Sequence, residues 1–263
     1  MRVFGESYSE YYDLFYADKD YATEVAFVRD IIQRHKPNAR SILDLGCGSA
    51  RHAVEFARAG LMVTGVDRSG GMIARAKDRI ESLPYELRTK VTVSEGDVAR
   101  YSPTDRYDVV VSLFHVLSYQ RSNEAVAGIF RCARSALSAG GLFVFDFWYG
   151  PAVLTKLPTV RVRRVADKNV HLTRIAEPEH LFNRNVVNVK YTIMAVDQQT
   201  GRSEEMVEVH SMRYFFLPEI EMLASLHDFE IAEVRGWLTG RALDEHCWSG
   251  YAAVRAQARP KSD

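Results

Sequence analysis

A short apolar run carrying one acid, Ser41–Leu45, breaks into Gly46-Cys47-Gly48, and this junction constrains the chain more than any other segment. Residues 42–45 have the texture of a strand buried on both faces. The glycines behind them permit a tight turn whose backbone amides can face a ligand, with Asp44 at its mouth. Residues 51–59 then read as a helix stopped by Gly60, and residues 63–66 as a second strand ending in Asp67. Strand, glycine turn, helix, strand and acid follow in order, and an acid at the tip of such a second strand is where ribose hydroxyls are held.

The third glycine of the dinucleotide fingerprint is missing: Ala50 and Arg51 stand at the start of the helix. A carboxylate at Asp44 would also repel a pyrophosphate, whereas it can accept hydrogen bonds from the ammonium of an amino-acid-like ligand. That combination suits S-adenosylmethionine better than NAD.

Further along, Ser69 is placed to cap a helix carrying Met72, Ile73, Ala76 and Ile80 at helical spacing. Residues 91–93 predict a third strand with Gly96-Asp97 beyond it, residues 107–113 a fourth, and residues 142–147 a fifth after the Gly140-Gly141 break. With Asp44, Gly46, Gly48, Asp67 and Asp97 in this order, residues 38–150 resemble the class I S-adenosylmethionine-dependent methyltransferases. The resemblance implies a Rossmann-like, seven-stranded, mostly parallel α/β sheet. It also implies that Arg68, Met72, Val98 and Leu113 line the cofactor with the glycines and acids, and that Asp97 receives the adenine amino group.

Lys plus Arg and Asp plus Glu each number 34 in 263 residues, so no net charge draws the chain to nucleic acid or to an anionic membrane. No stretch approaches the length of an apolar membrane span. Cys47, Cys132 and Cys247 are scattered, without metal-ligand spacing or an even number for a disulfide framework, which fits a reducing cytoplasm. Cys47 reads as a small filler between glycines. A small-molecule acceptor and a monomer or homodimer are expected, with no metal.

Residues 1–37 form an opening segment dense in aromatics (Phe4, Tyr8, Tyr11, Tyr12, Phe15, Tyr16, Tyr21), followed by a helix with Val25, Val28, Ile31 and Ile32 on one face. In the resembled family this segment lies over the cofactor and carries tyrosines to the methyl centre, which nominates Tyr8 and Tyr12. Residues 38–150 are the cofactor core. Residues 151–216 change texture to strands rich in Val, Thr, Ile and Tyr over 159–165, 170–176, 186–196 and 206–216. They are expected as an antiparallel β-lid inserted after the fifth strand. Residues 217–256 return a helix and two closing strands to the core, and 256–263 read as a tail.

The chemistry is expected where the fourth and fifth strands end. His115 is either a general base or a histidine bonded at a strand end; Tyr119 would orient the acceptor or cap a helix. Asp146 ends a strongly apolar run and needs a partner there; with Trp148 it is expected to bind the acceptor. In the lid, Arg161 and Arg163 share a strand face by alternation and suit phosphates, or are merely solvated; Arg213 is a further acceptor contact. Methyltransferases acting on the amine of nucleotide-linked amino sugars are the nearest resemblance, sharing the tyrosine-rich opening, the Tyr-Asp-Leu at 12–14 and the β-rich insertion. The position of their active-site histidine falls near Tyr119 here, and that of an N-terminal tyrosine near Phe4. An O-acceptor, an NAD(P)-dependent oxidoreductase and a non-catalytic cofactor-binding module are the alternatives.

Overall fold

The computed structural model describes Tyr11 and residues 13–258. Phe4, Tyr8 and Tyr12 lie outside the described residues. The core elements are α1 (Tyr21–His35), β1 (Ser41–Leu45), α2 (Arg51–Arg58), β2 (Met62–Asp67), α3 (Gly70–Glu81), the short α4 (Tyr85–Arg88), β3 (Val91–Glu95), β4 (Tyr107–Ser112), α5 (Asn123–Ala136) and β5 (Leu137–Tyr149). After α6 (Gly150–Thr155) come the long strands β6 (Arg161–Ala166), β7 (Val170–Leu181), β8 (Val186–Asp197) and β9 (Ser203–Phe215), then α7 (Leu217–Leu226), β10 (Phe229–Gly236) and β11 (Ser249–Ala256).

The main sheet runs β3-β2-β1-β4-β5-β11-β10, parallel through β5, with β11 antiparallel to both β5 and β10. This is the expected seven-stranded, mostly parallel arrangement. The chain leaves β1 for β2 on one side and returns to β4 on the other, so the crevice that binds ligands in open α/β sheets opens above β1 and β4. Local chemistry fixes the elements. Asp20 Oδ1 accepts the Thr23 backbone N–H at 2.9 Å to start α1, whose Val25, Val28, Ile31 and Ile32 are buried as the periodicity predicts. Ser69 Oγ accepts the Met72 N–H at 3.3 Å to start α3. Phe130, Phe143, Phe145, Phe147, Phe215 and Phe229 fill one face of the sheet beneath α5 and α7.

Three boundaries differ from expectation. β5 begins at Leu137, not 142, because Leu137 already pairs with Tyr107; the Gly140-Gly141 pair is a kink inside the strand, the register jumping to Val109↔Leu142. β7 runs through Pro178 to Leu181. Beyond Ala176 it has lost β6 and pairs with β8 alone, so the proline sits where one side of the strand has no ladder to break. β9 begins at Ser203, since the Asp197–Gly201 turn sets Val196 opposite Ser203.

The lid, β6-β7-β8-β9, is antiparallel. It is also continuous with the core. Trp148↔Tyr214 and Tyr149↔Phe215 pair the end of β5 with the end of β9 in parallel, beyond the last β4 partner at Phe145. The lid therefore hangs from the end of β5, beside the crevice. Among the described residues no helix is long and apolar enough to cross a membrane.

Candidate active site

The glycine turn is closed from within. Gly46 sits at φ +88°, and a Cβ there would lie 2.4 Å from a Val116 methyl, so only glycine lets the loop after β4 pack against it. The turn's amides do not face outward as expected from the sequence: Gly46 N and Cys47 N both donate to Val66 O, at 2.7 and 3.1 Å, and Gly48 N donates to Asp67 Oδ2 at 2.9 Å. What the turn offers a ligand is its shape and two carboxylates. At Gly48, φ +53°, a Cβ would meet nothing within 4 Å among the described residues, so the backbone there borders open space. Cys47 is buried and its thiol is pushed well up by that burial, which leaves it a filler.

Asp67 binds the turn at Gly48, and Asp44 lies close to it near the end of β1. Asp67 accepts at both oxygens, from Gly48 N and from Ser69 N, each at 2.9 Å, which fixes its plane; burial raises its pKa. Asp44 is 1 % exposed, and its Oδ2 has no hydrogen-bond partner among the described residues. Burial, and secondarily the charge of Asp67, push its carboxyl up to about 7. A buried carboxylate oxygen without a donor is costly, and an ammonium ligand removes that cost. The pair therefore fits the amino-acid ammonium and the ribose diol of S-adenosylmethionine. Met72, Leu113 and Val98 are buried, while Arg68 and Asp97 are exposed. Asp97 Oδ1 caps the following turn by accepting from Ala99 N at 3.0 Å.

On the other side of the crevice, Phe114 and His115 both occupy the left-handed region, at φ +64° and +63°. Two successive non-glycine residues there are strained. Asp146, 1 % exposed at the end of β5, holds them: its Oδ1 and Oδ2 accept the His115 backbone N–H at 2.9 and 3.1 Å. His115 Nδ1 lies 2.8 Å from Asp146 Oδ2, outside hydrogen-bond geometry. Asp146 thus shapes the loop that presents His115, in place of the direct acceptor contact expected from sequence.

His115 and Trp148 form one wall of a cavity of about 470 Å³ whose other walls come from the lid, the loop before β6 and the start of β11. Lys156, Arg161, Arg163, Arg174 and Tyr191 line it with Trp248. Alternation puts Arg161 and Arg163 on its face of β6 as expected, and cross-strand register sets Arg163 directly opposite Arg174. Arg163 also pairs with Asp18 at 2.7 Å, and the Arg174 guanidinium stacks 4.6 Å from the Tyr191 ring and 4.8 Å from the Phe15 ring. Arg213 lies elsewhere. It donates to Asn123 Oδ1 at 2.8 Å and pairs with Glu219, on the wall of a second, larger cavity shared with Arg68, Asp97 and Tyr119.

Asp13, which the sequence offers only as part of a motif, is tied to the glycine turn and to α2 and α3. Asp13 accepts from Arg51 Nε at 3.0 Å, Arg79 at 2.7 Å and Ser49 Oγ at 3.3 Å. Burial would raise its carboxyl, but the guanidiniums of Arg79 and Arg51 outweigh that and hold it below the usual range. Arg174, Tyr191, His210 and Glu208 were also missed. The alternation that found Arg161 and Arg163 would have found Arg174, had the hairpin register been known.

Residues 42–141 match the family model described as a methyltransferase domain. The chain is a methyltransferase of the S-adenosylmethionine-dependent class. Among similar proteins, a dTDP-3-amino-3,4,6-trideoxy-alpha-D-glucopyranose N,N-dimethyltransferase of Streptomyces venezuelae is 24 % identical over 92 % of this methyltransferase and 98 % of the relative. A dTDP-3-amino-3,6-dideoxy-alpha-D-glucopyranose N,N-dimethyltransferase of Streptomyces fradiae is 25 % identical over 95 % and 93 %. Among solved structures, a sugar N-methyltransferase of Streptoalloteichus superposes with a TM-score of 0.78 at 22 % identity, covering 98 % of this methyltransferase and 97 % of that chain. The fold is therefore shared over its full length, lid included. The NAD(P)-dependent oxidoreductase alternative is set aside by the domain match and by Asp44.

Proposed function

We propose that the methyltransferase transfers methyl groups to the amine of a nucleotide-linked amino sugar, in the cytoplasm. The observation that carries the reading is the lid cavity. It brings Lys156, Arg161, Arg163 and Arg174 together beside His115 and Trp148, with no carboxylate among its described lining residues. Arg163 and Arg174 stand directly opposite each other across the sheet, and an anion bound beside them would offset the repulsion of like charges so placed. A diphosphate supplies that anion, and guanidinium forks bind it with two parallel hydrogen bonds. Its size leaves the sugar to reach the His115 loop. The relatives named above act on dTDP-linked amino sugars, and the cysteines of this chain are free.

When bound, S-adenosylmethionine supplies an electrophilic methyl group on its sulfonium. The chain's own residues do the remaining work. Asp44 and Asp67 fix the amino-acid and ribose ends, the Asp13 clamp covers the turn, and the Asp146-held loop sets His115 at the wall between the two ligands. Near-attack placement and exclusion of water account for rate without a covalent intermediate. The test is acceptor turnover: a dTDP-linked amino sugar, the same sugar without its nucleotide, and sugar hydroxyl acceptors, scored by S-adenosylhomocysteine release and product mass. The reading predicts methylation of the linked amine with a KM at least about tenfold below that of the free sugar. Equal use of both, or reaction only at hydroxyls, overturns it.

A further inference from the structure

Asp18 reaches a basic side chain of the lid cavity from outside it. It lies in the turn that follows Phe15, its side chain is three-quarters exposed, and it belongs to none of the cavity's described walls. Arg163 Nη2 donates to both of its carboxylate oxygens, at 2.7 and 2.9 Å. Arg163 is also the cation set opposite Arg174 between β6 and β7, and it lines the cavity with Lys156 and Arg161. A carboxylate of the opening segment thus stands on a guanidinium of the proposed diphosphate site.

The nitrogen that Asp18 occupies decides what else Arg163 can hold. A guanidinium has two edges with paired, parallel N–H groups, one formed by its two terminal nitrogens and one by Nε with Nη2. Nη2 belongs to both. With a carboxylate on Nη2, neither edge is free for the two-pronged contact that phosphates make. The contact that stands in the way is weak, because an ion pair this exposed is worth little. Nor does the segment depend on it. Asp13 is tied to Arg51 and Arg79 before Asp18, and Lys19 after it pairs with Glu24 and lies 4.5 Å from the Phe114 ring. The Asp18 side chain can turn away while both anchors stay.

We infer that Asp18 is an internal counter-ion of Arg163, exchanged for a phosphate when the acceptor enters, and therefore a residue that sets acceptor affinity. The inference rests on the nucleotide-linked acceptor proposed above. Before the acceptor binds, the carboxylate offsets the Arg163 charge that faces Arg174. An arriving diphosphate takes Nη2 together with a neighbouring N–H, and the Asp18 carboxylate returns to water, where most of its surface already lies. Every anion that uses either edge of Arg163 makes this exchange, so Asp18 weakens its binding by the strength of the pair it gives up. An amino sugar without its nucleotide has no anion to exchange, and its use is indifferent to Asp18.

The test uses dTDP and inorganic pyrophosphate, which carry the anion but have no amine to methylate, titrated into the full chain by calorimetry. Asp18→Asn and Asp18→Ala should each bind dTDP about two- to fivefold more tightly than wild type, the range an exposed pair allows, with cofactor affinity unchanged. Arg163→Ala should weaken dTDP binding, and in that background the Asp18 substitutions should gain nothing. With 13C-labelled aspartate, the Asp18 carboxylate signal should move as dTDP saturates the wild type. Asp18 variants that bind dTDP no more tightly than wild type, a gain that survives Arg163→Ala, or an Asp18 signal unmoved at saturation overturns the inference. Where Arg163→Ala still weakens dTDP in those cases, the diphosphate reading of the cavity stands and Asp18 is a surface pair only. If dTDP and pyrophosphate bind Arg163→Ala as tightly as wild type, the diphosphate is held elsewhere and both fall.

Discussion

Both carboxylate oxygens of Asp146 accept the backbone N–H of His115, at 2.9 and 3.1 Å. A side chain at the end of β5 thereby holds a loop in which two consecutive residues are left-handed. Asp146→Ala should leave that N–H buried and unmet, at about 1–3 kcal/mol, and release the strain by moving Phe114 and His115. Acceptor turnover should fall while cofactor affinity is kept. Asp146→Asn retains one acceptor oxygen and should sit between. Wild-type kcat in Asp146→Ala would show that the loop needs no such hold.

Asp44 sets stability against binding. Its folded pKa of about 7 lies above the unfolded 3.8, so the folded state holds a proton the unfolded chain has lost. The resulting stability is complete below pH 3.8 and is lost as pH rises to about 7. Asp44→Asn should therefore stabilise the cofactor-free protein at pH 8 by on the order of 2–4 kcal/mol, and change it little near pH 4. The same substitution removes a charged partner of the ligand ammonium and should weaken cofactor binding by about 1.5–3 kcal/mol. Melting at the two pH values and calorimetry check both. A variant that is stabilised and still binds as wild type would mean the ammonium lies elsewhere.

β1, β2 and β4 were legible because each is a short, largely buried run punctuated by glycine or a turn, as at Ile42, Val63 and Val110. Asp44 and Asp67 were legible for the same reason: an acid at the end of an apolar run has few places to go. What lay hidden depended on partners far along the chain. The turn's amides are taken by Val66 and Asp67 through the pairing of β1 with β2. Pro178 sits within a strand because β6 stops short. Arg213 is held by Asn123 and Glu219 on the wall of a different cavity from Arg161 and Arg163, and Tyr119 meets His210 only because β9 joins the end of β5.

Asp13 tests whether the opening segment is a working part of the site. Its carboxylate joins Arg51 of α2 and Arg79 of α3. Because its folded pKa is depressed, the tether is present above pH 3.8 and weakens as pH falls through the lower folded value. Asp13→Asn should cost about 1–2 kcal/mol, between the ranges for exposed and buried pairs. It should also speed proteolytic cleavage of the opening segment at neutral pH and weaken cofactor binding. Cleavage at the wild-type rate would show that the clamp plays no part in holding the site together.

The opposition of Arg163 and Arg174 gives the last prediction, because it separates a functional arrangement from a solvated one. Without an anion, two guanidiniums in register repel, and the Asp18 partner of Arg163 is three-quarters exposed and gives little back. Arg163→Ala should therefore leave the stability of the cofactor-free protein within about 0.5 kcal/mol of wild type. With a dTDP-linked acceptor present the balance changes: loss of one fork from a diphosphate should raise the acceptor KM about tenfold, with kcat at saturation nearly kept. Adding Arg161→Ala should raise it further, while a nucleotide-free amino sugar should be used equally well by wild type and variants. Arg174→Lys should behave as a partial loss, since the charge stays but the planar stack on Tyr191 and the two-pronged contact do not. If the double alanine variant matches wild type in acceptor KM, the basic strand is a solvated edge and the nucleotide is held elsewhere in the methyltransferase.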